Sequence, residues 1–225
     1  MKFRSIAIDG PSGAGKSTMA KSLAQELGFL YVDTGAIYRT VGLEVSRRGI
    51  EPSNGSAVAA ILPEIKVTMA YGEDGLQHMY LGEEDVTIAI RQHKISDYAS
   101  KVSAVPEVRA FLLEMQRKLA RENHVIMDGR DIGTVVLPDA DLKIFLTADA
   151  EDRATRRFLE LQQRGQDPNF DTILRDVIQR DKQDTEREIA PLRQAEDAVL
   201  VDTTGINLEK SRALLRNIIL ERFGL

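Results

Sequence analysis

Short hydrophobic runs alternate along the chain with longer stretches in which apolar residues recur at a helical period. The five runs are residues 3–8, 29–32, 125–128, 142–146 and 199–201. After the first run, Ala20, Leu23, Ala24 and Leu27 follow the spacing of an amphipathic helix, and Gly28 stands at a C-cap position. This alternation predicts an α/β fold, a five-stranded parallel sheet wound by helices on both faces with right-handed crossovers.

One segment breaks the alternation. Residues 65–69 and 77–81 flank a turn-rich tetrapeptide at 72–75, a pattern typical of an antiparallel hairpin. We therefore predict a small antiparallel subdomain inserted at about residues 52–100. Further helices are predicted at about 150–164, 171–188 and 207–222.

Composition narrows the class of protein. The 225 residues are 43% hydrophobic and carry 30 Lys and Arg against 35 Asp and Glu, a net charge of −5. This length and composition indicate one large globular domain, or one domain that carries a smaller insertion. A mildly acidic chain argues against nonspecific binding to a nucleic-acid backbone. The absence of cysteine excludes disulfides and thiolate chemistry, and no apolar run is long enough for a signal peptide or membrane span. We expect a cytoplasmic protein.

Residues 10–17 match the pattern G-x-x-x-x-G-K-[ST] between a predicted strand and a predicted helix. In such a loop the backbone N–H groups and the helix N-terminus hold polyphosphate, the lysine reaches the β and γ phosphates, and the hydroxyl binds Mg²⁺. Here the lysine is Lys16 and the hydroxyl is that of Ser17. The residues predicted to bind ATP are Gly10, Pro11, Ser12, Gly13, Ala14, Gly15, Lys16, Ser17 and Thr18.

A second polar motif follows the second strand. Asp33, Thr34 and Arg39 are expected at the same edge of the sheet as the phosphate loop, where open α/β sheets bind ligands. Arg39 is suited to a bidentate contact with a second phosphate. Asp33 and Asp128 both end apolar strands, and either one could orient Mg²⁺ through water, anchor an arginine or anchor the phosphate loop.

Together with residues 128–136, 99–102 and 180–192, these segments resemble the bacterial cytidylate kinase family of nucleoside monophosphate kinases. The resemblance covers nearly the whole chain. It implies a single kinase domain of the P-loop NTPase type over residues 1–225, in which the insertion at about 52–100 is the monophosphate-binding subdomain. It also implies a helical lid at about 150–188.

The resemblance further implies that the γ-phosphoryl group of ATP is transferred to CMP, and to dCMP, in pyrimidine nucleotide metabolism. The cofactor would be Mg²⁺, and the protein a monomer that binds neither nucleic acid nor a membrane. By similarity, the residues that bind CMP are Asp33, Thr34, Arg39, Ser100, Arg109, Arg130, Asp131, Arg180, Asp184 and Arg187.

Within that set each group has an implied role. Those for the acceptor phosphate are Arg39, Arg130 and Arg187, those for the cytosine edge are Ser100, Arg109 and Asp131, and those for the ribose are Arg180 and Asp184. The implied catalytic residues are Lys16, Arg153, Arg157 and Arg187. Because Arg153 and Arg157 are four residues apart on a predicted helix, they share one face and would close over the transferring phosphoryl group with Arg187.

Three other functions use the same phosphate loop. A nucleotide-driven switch would carry a guanine-binding Asn-Lys-x-Asp motif or extended ATPase signatures, which the sequence lacks. A related kinase would phosphorylate another nucleoside monophosphate or shikimate. A binding module would hold nucleotide without turnover, and an assay of ATP with CMP distinguishes it from a kinase.

Overall fold

The structure is a computed structural model that describes residues 3–72 and 75–224. The strands are β1 (Ser5–Asp9), β2 (Leu30–Asp33), β3 (Val67–Tyr71), β4 (Gln77–Leu81), β5 (Glu84–Asp85), β6 (Val125–Gly129), β7 (Leu142–Thr147) and β8 (Val199–Asp202). The α-helices are α1 (Lys16–Leu27), α2 (Thr34–Arg47), α3 (Gly55–Ile61), α4 (His93–Val102), α5 (Pro106–Glu122), α6 (Ala150–Gln163), α7 (Phe170–Glu186) and α8 (Leu208–Phe223).

Strands from both ends of the chain form one parallel sheet in the order β2–β6–β1–β7–β8, flanked by helices. A second, antiparallel sheet has the order β3–β4–β5. The predicted fold class, a five-stranded parallel sheet with a small antiparallel sheet inserted, is therefore confirmed.

The chain divides into two compact units. We call Met1–Leu30 with His124–Leu225 the first unit, and Tyr31–Asn123 the second unit. The single kinase domain over 1–225, the insertion at about 52–100 and the lid at about 150–188 stay predictions.

The first unit is built around β1. This strand pairs in parallel with β6 on one side and β7 on the other, and its side chains Ile6 and Ile8 are fully buried. Burying an isoleucine contributes about 1.5–3 kcal/mol, so the apolar run places β1 in the middle of the sheet. The loop that follows β1 therefore opens at the centre of the carboxyl edge, where α/β sheets bind ligands.

Close approach of two strands fixes the first residue of that loop. Gly10 has a φ of +148°, and a Cβ added to it would lie 1.9 Å from the carbonyl oxygen of Leu146 in β7. No side chain fits at that distance. Glycine is thus required here by the neighbouring strand, whatever the loop binds.

The second unit combines helices with the small sheet. Helix α2 packs on α4, and β3 pairs with β4 in the antiparallel register Val67 to Leu81. The predicted hairpin is present, and a short third strand, β5, extends it. Glu73 and Asp74, in the predicted turn, lie outside the described residues. Within the described part of the chain, no helix is both long enough and apolar enough to cross a membrane.

Candidate active site

The phosphate loop connects β1 to α1, as the sequence predicts. Gly10, Gly13 and Gly15 all have positive φ, which lets the loop curl over the first turn of α1. Lys16, the first residue of that helix, is buried, and its Nζ donates a 2.7 Å hydrogen bond to the carbonyl oxygen of Pro11. The lysine ammonium therefore lies against the concave side of its own loop.

The charge on Lys16 is held in an unfavourable environment. Burial, followed by the positive charge of Arg130, lowers the pKa of Lys16 to about 7, although Asp128, Asp9 and Asp184 act in the opposite direction. An ammonium with so low a pKa is stabilised by an added anion. The loop is thus suited to binding a polyanion.

Ser17 and Asp128 form an oxygen pair beside the loop. The Ser17 hydroxyl donates to Asp128 Oδ2 at 2.7 Å, and the Asp128 side chain is buried at the end of β6. A hydroxyl and a carboxylate are hard oxygen ligands of the kind that Mg²⁺ prefers. This donor set fits the predicted cofactor.

A cluster of arginines and aspartates follows β6 in the first unit. Arg130 Nε donates to Asp184 Oδ2 at 2.7 Å, and Arg180 Nε lies 3.6 Å from the same oxygen. Arg187 Nη2 donates to Asp131 Oδ1 at 3.3 Å. The five residues of this set that the family resemblance assigns to CMP are therefore brought together, with three cations against two carboxylates.

The carboxylate at the centre of this cluster is ionised by its neighbours. Burial acts to raise the pKa of Asp184, but the charges of Arg130, Arg180 and Arg187 and a hydrogen bond from Arg130 outweigh burial and lower it. The cluster keeps a surplus of positive charge beside the phosphate loop. It can therefore bind a second anion.

The turn after α7 orients Arg187. Its Nε donates to the carbonyl oxygen of Ala190 at 2.6 Å, and the N–H of Leu192 donates to the carbonyl oxygen of Asp184 at 2.7 Å. Ala190 has a φ of +48°, a left-handed conformation that costs an alanine about 1–2 kcal/mol. These hydrogen bonds stabilise the turn in which Arg187 contacts Asp131.

The two predicted lid arginines have different surroundings. Arg153 is buried, and it donates to the carbonyl oxygens of Ala148 at 2.8 Å and Ser12 at 2.9 Å and to both carboxylate oxygens of Asp181 in α7. Arg157 is 41% exposed and donates to Glu160 at 2.9 Å. Arg153 therefore connects the phosphate loop to α7, while Arg157 forms an ion pair at the surface.

In the second unit, Asp33 caps α2 and holds Arg39. Its Oδ1 accepts the N–H of Ala36 at 2.8 Å, and its Oδ2 accepts Arg39 Nη2 at 2.8 Å. Both carboxylate oxygens are engaged, so Asp33 anchors an arginine, one of the alternatives that the sequence leaves open. Buried Thr34 begins the helix, and among the described residues the buried Nε of Arg39 has no hydrogen-bond partner.

Ser100 and Arg109 lie on α4 and α5 of the second unit. Arg109 is buried, donates to the carbonyl oxygen of Ser103 at 3.2 Å and lies 5.6 Å from the ring centroid of Tyr38. The carbonyl oxygen of Ser100 accepts the hydroxyl of Ser103 at 2.8 Å. Arg109 is thus fixed by a hydrogen bond and a ring contact.

Sequence reasoning assigns no role to two aspartates in the first unit. Asp9 is buried and accepts two backbone N–H groups, and Asp181 pairs with Arg153. A signal exists for Asp9, since it is a carboxylate closing an apolar strand immediately before the glycine loop. Asp181 lies in a helix crowded with charges, and nothing in the sequence separates it from its exposed neighbours.

Comparisons with known proteins agree with the family that the sequence motifs resemble. The family model described as cytidylate kinase matches residues 6–218. A cytidylate kinase from Caldicellulosiruptor bescii is 52% identical over 212 residues, which are 93% of this chain and 92% of that protein. One from Carboxydothermus hydrogenoformans is 49% identical over 214 residues, 95% of this chain and 96% of that protein.

Among solved structures, an uncharacterized protein from Eubacterium ventriosum matches with a TM-score of 0.53 at 14% identity. The match covers 97% of this chain and 98% of that one. At so low an identity the likeness concerns the fold alone.

Proposed function

The chain belongs to the cytidylate kinase family, and from that premise we propose that it transfers the γ-phosphoryl group of ATP to CMP, and to dCMP, giving ADP and CDP or dCDP. The observation that carries the proposal is the parallel pairing of β1 with β6 in the first unit, in which Asp9, just before the phosphate loop, lies opposite Gly129, just before Arg130 and Asp131. This pairing supports a phosphate loop for the donor that lies next to a cationic cluster for the acceptor. Two anions that meet at such a place can react by phosphoryl transfer.

The phosphate loop binds the triphosphate of ATP. Lys16 exchanges the Pro11 carbonyl for oxygens of the β and γ phosphates, whose negative charge raises the pKa of the lysine and keeps it protonated. The backbone N–H groups of the loop and the N-terminus of α1 supply the remaining donors. The same groups that bind the phosphates thus also stabilise the negative charge that develops in the transition state.

Ser17 and Asp128 are the residues that would hold Mg²⁺. Their oxygens lie 2.7 Å apart beside the loop, and Mg²⁺ in kinases is bound through one or two carboxylates together with substrate phosphates. An ion held there would supply positive charge to the β and γ phosphate oxygens. Asp128 suits this role better than Asp33, because both oxygens of Asp33 already accept hydrogen bonds within α2.

The acceptor site uses the residues that the family resemblance assigns. Arg39, Arg130 and Arg187 bind the phosphate of CMP, and Arg180 and Asp184 bind the ribose hydroxyls. The base is bound by Ser100, Arg109 and Asp131, and Thr34 with Asp33 positions Arg39 from the start of α2. A carboxylate that only accepts and a guanidinium that only donates match N4 and N3 of cytosine.

No side chain is needed as a nucleophile, because the phosphate oxygen of CMP is already anionic at neutral pH. Transfer then depends on positioning and on charge stabilisation. Arg157 and Arg187 contact the transferring phosphoryl group. Arg153, whose donors already contact Ser12 and Asp181, acts through the shape of the phosphate loop.

A coupled assay of ADP release with CMP, dCMP, UMP, AMP, GMP and shikimate tests the proposal, with Lys16→Ala as the inactive control. We expect turnover with CMP and dCMP that greatly exceeds turnover with the other acceptors. ADP release independent of any acceptor would indicate a nucleotide-driven switch. A preference for shikimate or a purine monophosphate would assign the chain to another kinase.

We also propose that the enzyme is a cytoplasmic monomer with no nucleic-acid or membrane partner. The net charge of −5 supports the lack of affinity for nucleic acid. Sedimentation velocity at micromolar concentration, with and without both nucleotides, tests the monomer, and a second, faster-sedimenting species would contradict it.

A further inference from the structure

Asp9 binds two consecutive backbone N–H groups on another segment of the first unit. It is the last residue of β1 and only 5% exposed. Its Oδ1 accepts the N–H of Ile132 at 2.8 Å, and its Oδ2 accepts the N–H of Gly133 at 2.7 Å. Each carboxylate oxygen thus has its own donor, an arrangement that fixes both distance and orientation.

The two N–H groups belong to the first turn of a short π-helical segment, Ile132–Val136. The residue that precedes this turn, Asp131, makes no side-chain hydrogen bond that caps it. The N–H groups in the first turn of a helical segment need acceptors from outside the segment. Here the carboxylate of Asp9 supplies them, and the side chain of the N-cap residue does not. Without Asp9 these two buried N–H groups would lose their acceptors.

Packing leaves this turn little freedom. A Cβ added to Gly133 would lie 3.1 Å from Cδ of Lys143 and 3.4 Å from Oδ2 of Asp9. The backbone at Gly133 is therefore enclosed between the side chain of β7 and the carboxylate of β1. Movement of the turn would require Asp9 to move with it.

The electrostatic environment of Asp9 agrees with a role that depends on its charge. Burial raises the pKa of Asp9 to about 6, although the N–H groups of Gly133 and Ile132 oppose the rise. The charge of Asp131 raises the pKa further, and that of Lys16 lowers it. The carboxylate is thus ionised at neutral pH, and the two N–H groups and Lys16 stabilise that form.

The sequence on either side of these contacts belongs to the two nucleotide sites. Asp9 is covalently bonded to Gly10, the first residue of the phosphate loop, and Ile132 directly follows Arg130 and Asp131. We infer that Asp9 is a positioning residue, which contacts neither nucleotide and holds Arg130 and Asp131 at a fixed distance from the phosphate loop. The inference rests on the proposed function, because it assigns those two residues to the acceptor.

The test compares Asp9→Asn with Asp141→Asn. Asp141 is a matched control, because its carboxylate accepts the backbone N–H of Ser5 at 2.9 Å, at the opposite end of the same strand. In Asp9→Asn an NH₂ group replaces one carboxylate oxygen. This group cannot accept the backbone N–H that it faces, so one hydrogen bond is lost. Asp141→Asn changes a carboxylate that also accepts a backbone N–H, but at the end of β1 that is remote from the phosphate loop.

Steady-state kinetics with ATP and CMP give the readout. For Asp9→Asn we expect kcat/KM for CMP to fall by about tenfold to a hundredfold, the usual effect of losing one hydrogen bond to a charged group, with KM for ATP within twofold of wild type. For Asp141→Asn we expect both values within twofold of wild type. Equal effects of the two variants, or a rise in KM for ATP that matches the rise for CMP, would overturn the inference.

A measurement on the unmodified protein covers the case in which Asp9→Asn does not fold. The backbone amide resonances of Ile132 and Gly133, followed by NMR without nucleotide, should titrate with a midpoint near pH 6, and those of Arg130 and Asp131 should move with the same midpoint. Resonances of Arg130 and Asp131 that stay unchanged while the other two titrate would overturn the inference. Failure of the proposed function is distinct, since it would appear as absent turnover of CMP by the wild-type chain.

Discussion

Replacing Arg153 and Arg157 separately by methionine should separate a structural arginine from a catalytic one. The two residues are four apart on α6, and methionine keeps most of the apolar stem while removing the guanidinium. Arg153→Met removes donors from two backbone carbonyls and from Asp181, whereas Arg157→Met removes a surface contact with Glu160.

The structure gives the size of the two losses. Breaking a buried ion pair by removing one partner costs about 3–5 kcal/mol, and an exposed pair contributes about 0–1 kcal/mol. The side chain of Asp181 is 26% exposed, so water compensates it in part, and we expect about 3 kcal/mol for Arg153→Met. In a chain of this length that corresponds to a fall in Tm of about 6–12 °C, against at most about 4 °C for Arg157→Met.

Thermal unfolding and steady-state kinetics on the same two proteins complete the assay. Because Arg153 holds the carbonyl of Ser12 in the phosphate loop, its loss should also raise KM for ATP. Arg157→Met should lower kcat more than it raises KM for CMP, since its contact with the phosphoryl group strengthens in the transition state. Equal falls in Tm, or an unchanged Tm for Arg153→Met, would refute this reasoning.

Lys16→Ala should lower kcat by about 10²–10³-fold while circular dichroism shows an intact fold, because the ammonium stabilises charge at the leaving oxygen; near-normal turnover would contradict this. Burial lowers the pKa of Lys16 to about 7, from about 10.4 in an unfolded chain. Between these two pH values the unfolded state binds more protons than the folded state. The free energy of unfolding without nucleotide should therefore rise with pH from 7 towards 10. Urea unfolding at pH 7 and 9.5 should show this gain in wild type but not in Lys16→Met. Wild type should prefer CMP over UMP by at least about tenfold, and Asp131→Asn should relax the preference, because uracil sets an oxygen against the carboxylate of Asp131 and an N–H against the guanidinium of Arg109. An unchanged ratio of kcat/KM values for the two monophosphates would remove Asp131 from the base site.

The sequence predicts the elements that carry strong local signals. The apolar run before Gly10, the helical spacing after Lys16 and the cap at Gly28 define β1 and α1, and the structure has both with the cap in a left-handed conformation. These features depend on residues close in sequence. Local chemistry is sufficient to specify them.

Two short elements that depend on contacts outside their own residues are not predicted. The segment Ile132–Val136 is rich in β-branched residues, which favour a strand, yet it forms a π-helical turn whose first N–H groups bind Asp9, more than 120 positions earlier. Strand β5 has two exposed residues and therefore no hydrophobic period. Backbone pairing with β4, and not a hydrophobic pattern of its own, makes this segment a strand.

The candidate site shows the same limit at the level of side chains. Spacing correctly places Arg153 and Arg157 on one helix face, but their unequal burial depends on the carbonyl of Ser12 and on Asp181, which no periodicity relates to them. Likewise, Asp33 and Asp128 are alike as strand-terminal carboxylates. Only the positions of Arg39 and Ser17 distinguish the carboxylate that anchors an arginine from the carboxylate that we propose as a magnesium ligand.

Leu146 makes a glycine necessary at the first position of the phosphate loop for a reason that is separate from catalysis. Since a methyl group at Gly10 would overlap the carbonyl oxygen of Leu146, at 1.9 Å, the restriction acts while the chain folds, before any nucleotide arrives. A library of random loops screened for solubility alone, with no ligand in the medium, would still recover glycine at this position. Lys16 would be recovered only from a screen for activity. Two residues of one motif are thus required for different reasons, Gly10 for the packing of the sheet and Lys16 for the proposed reaction.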